Sequence, residues 1–152
     1  MKKILFVSSL VLISGVFLVS CSKDNATSDP GALVGTWRPV SAHAVEVDST
    51  ISNNQNITDS TYSANAGTIT FKSDGTYSLS DPNGDPPSTE VGTYTTANGK
   101  ISTVPTSYTG DPGIPVEDAS FSVSGNALTL VQTLSVPGFF SATATMHLVK
   151  VN

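Results

Sequence analysis

An all-β domain, folded as an eight-stranded antiparallel up-and-down barrel, is the architecture that this sequence predicts. From Leu33 onward the chain is rich in Thr, Ser, Val and Gly, and no segment repeats apolar residues at the i, i+3, i+4 spacing of an amphipathic helix. Short runs with strand-like alternation of apolar and polar residues follow one another instead. Three pairs of these runs are separated by glycine-containing turns of hairpin length.

The N-terminal segment predicts a lipoprotein signal peptide over residues 1–20. A short basic start, Met1-Lys2-Lys3, precedes an apolar run over 4–19 that is too short for a membrane span of about 20 residues. The run ends in Leu18-Val19-Ser20-Cys21, which resembles the lipobox of bacterial lipoproteins, in which the cysteine is lipidated and becomes the new N-terminus. The alternative is a secretory signal with a chance cysteine beside its cleavage site.

Lipidated Cys21 would attach the mature protein to a membrane. Ser22 argues against inner-membrane retention in the usual sorting pattern of such lipoproteins, so the expected location is the outer membrane, on its periplasmic or surface face. Ser22-Lys23-Asp24 also resembles the short acidic export tags of surface lipoproteins in Bacteroidota.

The remaining sequence predicts a short tether followed by one domain. Residues 21–32 are polar, small and without periodicity, as in a flexible tether, and residues 33–152 have the length of a single domain. Cys21 is the only cysteine, so a disulfide or a thiolate metal site is not expected. The net charge of −5, which becomes more negative once Lys2 and Lys3 are removed, argues against nucleic acid as a partner.

The first predicted strand begins at Gly35-Thr36-Trp37 and contains the only tryptophan. A glycine two residues before a tryptophan lets the backbone approach closely while the indole covers apolar side chains. Alternation places one set of residues on the inward face of this strand: Trp37, Pro39, Ser41, His43, Val45 and Val47.

Six further strands form three hairpins, and an eighth closes the chain. The hairpins are 68–72 with 76–80, 90–95 with 100–104, and 120–123 with 127–134, joined by turns that contain Gly75, Gly99 and Gly125. The last strand spans 142–151.

If every strand reverses direction, the three tight turns lie at one end of the barrel, with Trp37 and Lys150. The long connections 49–66, 81–89, 105–117 and 135–141 lie at the other, open end. Residues 57–62 are interpreted as loop, because a ninth strand there would spoil the even count that lets the last strand pair with the first.

Several short segments, taken together, resemble the lipocalins and their calycin relatives, in particular the lipocalin-like domains of Bacteroidota lipoproteins. The resemblance spans 33–151 and rests on Gly35-Thr36-Trp37, the hairpin 69–77, Gly92-Thr93-Tyr94 and Asn126-Ala127-Leu128-Thr129-Leu130. It implies that a basic residue of the last strand, here Lys150, packs across Trp37 and, with Gly35, forms a structural lock. The family usually has Arg at this position, and the disulfide and C-terminal helix of many lipocalins are absent from the sequence.

No motif of this sequence indicates catalysis, a cofactor or a metal. His43 and His147 lie in no zinc-binding spacing, and no serine lies in Gly-x-Ser-x-Gly. The segment 81–85, Asp-Pro-Asn-Gly-Asp, is rich in oxygen ligands but lacks the bidentate Glu of a calcium loop. It is interpreted as a solvated turn, and the protein is predicted not to be an enzyme.

The predicted function is the binding of a small, largely apolar ligand at the open end. Bulky inward residues are expected at the tight-turn end, and smaller or more polar ones, His43, Val45, Gln132, Ala142 and Ala144, toward the mouth. The candidate ligand-binding residues are His43 and Gln132 as polar groups and, on the overlying loops, Tyr62, Tyr108, Phe139 and Phe140. The alternative functions of these groups are a core amide for Gln132 and core capping for the loop aromatics. The alternative for the whole protein is a structural or interaction module whose barrel is filled by its own side chains and whose loops bind a protein or glycan. Under either function the protein is expected to be a monomer.

Overall fold

The computed structural model describes residues 26–48, 54–110 and 118–151. These residues form one short helix and nine strands: α1 (Pro30–Leu33), β1 (Gly35–Asp48), β2 (Asn54–Thr61), β3 (Thr68–Phe71), β4 (Thr76–Asp81), β5 (Ser88–Ala97), β6 (Lys100–Thr109), β7 (Ala119–Ser124), β8 (Ala127–Val136) and β9 (Phe140–Val151). The predicted signal peptide and Cys21 lie outside the described residues. None of the helices formed by the described residues has the length and apolar character needed to cross a membrane.

Eight of the strands form a closed antiparallel barrel, which confirms the predicted fold class. Strands β3 to β9 pair in chain order, and β1 pairs with β3 on one edge and with β9 on the other. Closure leaves no free edge at the level of these pairings. Three turns at one end use glycines with positive φ, namely Gly75, Gly99 and Gly125; we call this the closed end and the opposite one the open end.

The interpretation of residues 57–62 as loop is wrong, because β2 occupies Asn54–Thr61. This strand pairs with the second half of β1, from Ser41↔Thr61 to Asp48↔Asn54. The first half of the same β1 edge pairs with β3. Since β2 and β3 follow one another along a single edge of β1, they occupy one strand position in the barrel. The number of strand positions therefore stays even, at eight.

A β-bulge in β1 reverses the predicted facing of its second half. Pro39 pairs with Leu148 and Ser41 with His147, so Val40 is an extra residue on β1 and the alternation shifts by one. Ala42 and Ala44 now share the inner face with Met146 and Ala144, their partners on β9. The predicted inward facing of Ser41, His43, Val45 and Val47 is therefore wrong.

The core lies toward the closed end. Its most completely buried side chains are Trp37, Phe71, Leu33, Ile101, Leu128 and Leu148. Phe71 also packs edge-on against Tyr94, with ring centroids 5.1 Å apart. Most of the inward residues that alternation predicts on β3, β4, β7, β8 and β9 toward the closed end belong to this core or pack against it, whereas Leu134, near the open end, is 48% exposed.

Part of the predicted tether is packed against the closed end. Thr27 exchanges two backbone hydrogen bonds with Val123, both 2.7 Å, and the Ser28 hydroxyl donates to the Phe121 carbonyl at 2.8 Å. Asp29 caps α1, which carries Leu33 into full burial. The prediction of a flexible tether is thus wrong from Thr27 onward, because these residues satisfy backbone groups and cover the core.

The barrel wall opens toward the other end. Strands β6 and β7 share only two residue pairs, Lys100↔Ser120 and Ile101↔Ala119, although β6 continues to Thr109. On the opposite side, β8, β9, β1 and β2 extend together as a continuous sheet. The two walls therefore diverge at the open end, which gives access to the interior.

Candidate functional site

A cavity of about 890 Å³ lies at the open end, where the interior of the barrel meets two loops, 62–67 between β2 and β3 and 82–87 between β4 and β5. We call it the open-end cavity. Ligand pockets in proteins commonly enclose roughly 300 to 1,000 Å³, so its size suits a small molecule. Its lining residues come from β1 to β5, β8 and β9.

The inner wall of the open-end cavity is apolar. Its side chains come from five strands that meet inside the barrel: Pro39, Ile69, Leu79, Leu130, Met146 and Leu148. Ile69, Leu130 and Leu148 also belong to the buried core, so the wall is fixed by close packing. This wall can take up an apolar group and release the water around it.

The outer rim of the cavity is polar and carries two carboxylates, Asp81 and Asp85. The Asp81 carboxylate accepts a hydrogen bond from the Asn83 backbone at 3.0 Å, the local turn that an Asp commonly makes. The Asn83 side chain donates to the Asn65 carbonyl at 2.5 Å. This last bond joins the two loops, so the rim is held as one unit.

A second, smaller cavity of about 70 Å³ adjoins the first. Its lining residues are Ala119, Leu130, Gln132, Ala144 and Met146, and Leu130 and Met146 line both cavities. Gln132 pairs with Ala144 across β8 and β9. The structure therefore places Gln132 on the inner face, two residues along β8 from Leu130 of the apolar wall.

A buried polar group lies on the inner face of β4 and β5. Tyr77 donates a hydrogen bond of 2.5 Å to the Glu90 carboxylate, and Tyr77, Glu90 and Thr103 are only 3%, 6% and 6% exposed. Burial raises the pKa of Tyr77 to about 12, the bond to Glu90 and its charge add to the rise, and a hydrogen bond with Thr103 opposes it. The phenol thus stays a proton donor to Glu90 at ordinary pH.

The structure brings together only some of the sequence-predicted ligand-binding residues. Tyr62 lines the open-end cavity and Gln132 the smaller one. His43 lies outside the barrel, half exposed, with Nδ1 2.6 Å from Asp59 Oδ1. Phe139 and Tyr108 line neither cavity and are 63% and 57% exposed, and Phe140 is also exposed. Because the bulge at Val40 shifts the alternation of β1, His43 lies on the outer face of the barrel.

At the closed end, Gly35, Trp37 and Lys150 meet. The indole Nε1 donates to the Leu33 carbonyl at 2.7 Å, and Lys150 Nζ lies 5.2 Å from the ring centroid and donates to the Val34 carbonyl at 3.1 Å. A Cβ on Gly35 would lie 2.6 Å from Lys150 Cε. The three residues therefore form a packed cap, remote from the open-end cavity.

Sequence reasoning missed the carboxylates of the site. The segment 81–85 is a largely exposed turn, as the sequence predicts, but Asp81, Asn83 and Asp85 also line the cavity. Their position in a long connection at the open end is the feature of the sequence that indicates a place near the cavity. The inward position of Glu90 follows from strand alternation, because Glu90 lies two residues before Gly92, which pairs with inward Tyr77. Among the described residues, no group of three or more His, Cys, Asp or Glu side chains could hold a metal ion.

A closed antiparallel barrel with a cavity beneath its open-end loops is the architecture of a small-molecule binding protein. Residues 33–130 match the family model described as a lipocalin-like domain, and the chain belongs to this family. Its members are typically non-catalytic binding proteins, so membership indicates a ligand-binding module. Comparisons with curated proteins and with solved structures found no match.

Proposed function

We propose that the protein is a non-catalytic lipoprotein that binds a small, largely apolar molecule in the open-end cavity. The observation that carries the proposal is the cavity itself, which joins an apolar inner wall to a polar rim. Burial of each ligand methylene against the inner wall would contribute about 0.8 kcal/mol. The rim would keep the polar end of the molecule in contact with water.

The binding proposal is tested by titrating the purified protein with a neutral, environment-sensitive apolar dye. The variant Ala66→Trp fills the cavity from loop 62–67, since Ala66 is a lining residue. Its matched control is Ala64→Trp, which puts the same side chain at an exposed position of the same loop. Saturable binding that Ala66→Trp abolishes and Ala64→Trp preserves supports the proposal. An absence of saturable binding by the wild type would refute it.

Attachment to the outer membrane through Cys21 is the second part of the proposal, and the sequence Leu18-Val19-Ser20-Cys21 supports it. The packed segment from Thr27 leaves only a few residues between Cys21 and the barrel, at about 3.3 Å each. The closed end would therefore face the membrane and the cavity would open away from it. Cys21→Ser should leave an uncleaved or released protein that no longer partitions into detergent. Unchanged partitioning would contradict lipidation.

A second candidate function is binding to a protein or glycan of the envelope. It is favoured by the exposed turn between β8 and β9, where Phe139 and Phe140 follow Pro137-Gly138 and are 63% and 40% exposed. Adjacent exposed rings are common at interaction sites. Replacing both rings with Ser should leave dye binding unchanged and should abolish retention of the protein by its partner in envelope pull-downs.

A further inference from the structure

The charged side chains among the described residues that line the open-end cavity are all carboxylates. Asp81 and Asp85 are lining residues, whereas no Lys, Arg or His side chain is among the described lining residues. Asp81 is half-buried on the inner face of β4, where it pairs with Ser88, another lining residue. A charge at such a site is less screened than one on the open surface.

The cationic side chains of the described residues lie elsewhere. Lys72 and Lys100 flank the tight turns at the closed end and are exposed, and Lys150 covers Trp37. Arg38 contacts the rim from outside, since its Nη1 donates to the carbonyl of Ser63, a lining residue, at 3.3 Å. It lies on the outer face of β1, next in sequence to inward Trp37, and does not line the cavity.

Glu90 adds a third carboxylate to the same inner face. It pairs with Leu79, and the next pair on the same face of these strands, two residues along, is Asp81↔Ser88, so Glu90 lies two residues deeper than the rim. Only 6% of it is exposed, and within the described part of the chain it forms no ion pair with a basic residue. Its hydrogen bond comes from a neutral phenol, which leaves its charge without a cation.

We propose that the open-end cavity selects an elongated apolar molecule with a cationic end, such as a long-chain amine, and discriminates against carboxylates such as fatty acids. This selectivity rests on the proposed binding function. The cationic end lies at the rim between Asp81 and Asp85, and the apolar body lies along Leu79, Leu130 and Met146. The smaller cavity beside Gln132 continues this path, because Leu130 and Met146 line both cavities.

The test uses three ligands that share one alkyl chain and differ only at the end: dodecylamine, dodecanol and dodecanoate. Each displaces the neutral dye from the purified protein at low salt, below its micellar concentration. Attraction of the amine and repulsion of the carboxylate act together, so dodecylamine should displace the dye at a concentration at least about tenfold lower than dodecanoate. The displacing concentration of dodecanol should lie between those of the amine and the carboxylate, and high salt should reduce the difference between the two charged ligands.

The variant Asp81→Asn with Asp85→Asn removes both rim charges and keeps an oxygen that can accept the Asn83 hydrogen bond. It should bring the displacing concentrations of the amine and the carboxylate to within about threefold of each other, each measured relative to the affinity of the variant itself for the neutral dye. Asp59→Asn with Asp74→Asn is the matched control, since it makes the same charge change at two exposed positions, one beside His43 outside the barrel and one in a tight turn of the closed end, and should keep the wild-type preference.

Equal or tighter binding of dodecanoate by the wild type would overturn the cationic selectivity while leaving dye binding intact. An equal loss of preference in the control pair would also overturn it, because net charge alone would then be the cause. A failure of the dye itself to bind would refute the proposed function, and with it this inference.

Discussion

Trp37 is the side chain whose replacement should disturb the barrel most. It is fully buried, its Nε1 donates to Leu33 at 2.7 Å, and Lys150 Nζ lies 5.2 Å from its ring centroid. These contacts join α1, β1 and β9, so one side chain holds the N-terminal segment and both strands of the barrel closure together. We therefore compare Trp37→Ala, Trp37→Phe and Lys150→Met.

The three variants should differ in a fixed order. Trp37→Ala removes a buried aromatic side chain and should lower the free energy of unfolding by about 3 to 5 kcal/mol. Trp37→Phe keeps a ring but leaves the Leu33 carbonyl without its donor, which should cost about 1 to 3 kcal/mol. Lys150→Met keeps the apolar stem and loses the cation over the ring, at a cost of about 0.5 to 2 kcal/mol.

Urea unfolding followed by far-ultraviolet circular dichroism measures these differences for all variants. Because Trp37 is the only tryptophan, the fluorescence of the wild type reports its environment separately. A loss of less than about 1 kcal/mol in Trp37→Ala, or a red-shifted and readily quenched emission from the folded wild type, would refute the account of the closed end.

Three further changes give distinct expected outcomes. The pKa of Tyr77 is raised from 10.0 to about 12 by burial and by Glu90. The free energy of unfolding of the wild type should therefore fall as the pH rises from 10 toward 12, because the phenol ionises more readily in the unfolded chain. In Tyr77→Phe the free energy of unfolding should depend less on pH over this range. Gly92→Ala should cost about 1 to 3 kcal/mol in urea unfolding, since its Cβ would lie 2.3 Å from the Val104 carbonyl oxygen, whereas the exposed neighbour Thr93→Ala should cost almost nothing. Leu33→Ala should cost about 2 to 5 kcal/mol by the same measurement, because the side chain is fully buried, and a neutral result would mean that α1 does not cover the core.

The sequence pattern predicts the barrel because most of its strands pair without interruption. On β3, β4, β7, β8 and β9 the alternation alone identifies the inward residues, since a period of two is preserved along each strand. The three glycine turns fix the order of the hairpins. The closure between β1 and β9 then follows from the even number of strands.

The errors come from features that a local pattern does not encode. The bulge at Val40 shifts the parity of β1, and this shift moves His43 from the predicted mouth to the outer face. β2 is polar, with the sequence Asn-Gln-Asn-Ile-Thr-Asp-Ser-Thr, and becomes a strand because β1 extends beyond β3 and offers it an edge. Tertiary pairing of this kind overrides intrinsic propensity.

The sequence predicts the end of the barrel at which the cavities lie, and the binding roles of the candidate residues stay predictions. Long connections at one end correctly locate the mouth, and Tyr62 and Gln132 reach the two cavities. The carboxylates were missed because a turn rich in Asp and Pro has the composition of any solvated loop. Its position beside the cavity depends on contacts with a distant loop, such as the hydrogen bond from Asn83 to Asn65, which the local sequence does not encode.

Native mass spectrometry of the protein released from its own cell envelope tests the central claim most directly. A barrel whose open-end cavity holds a ligand should carry a small molecule in the wild type and in Ala64→Trp, and should lose it in Ala66→Trp. Tandem fragmentation of the bound species would show its chemical class. Detection of the bare polypeptide mass alone in all three proteins would contradict the claim that this barrel binds a small molecule.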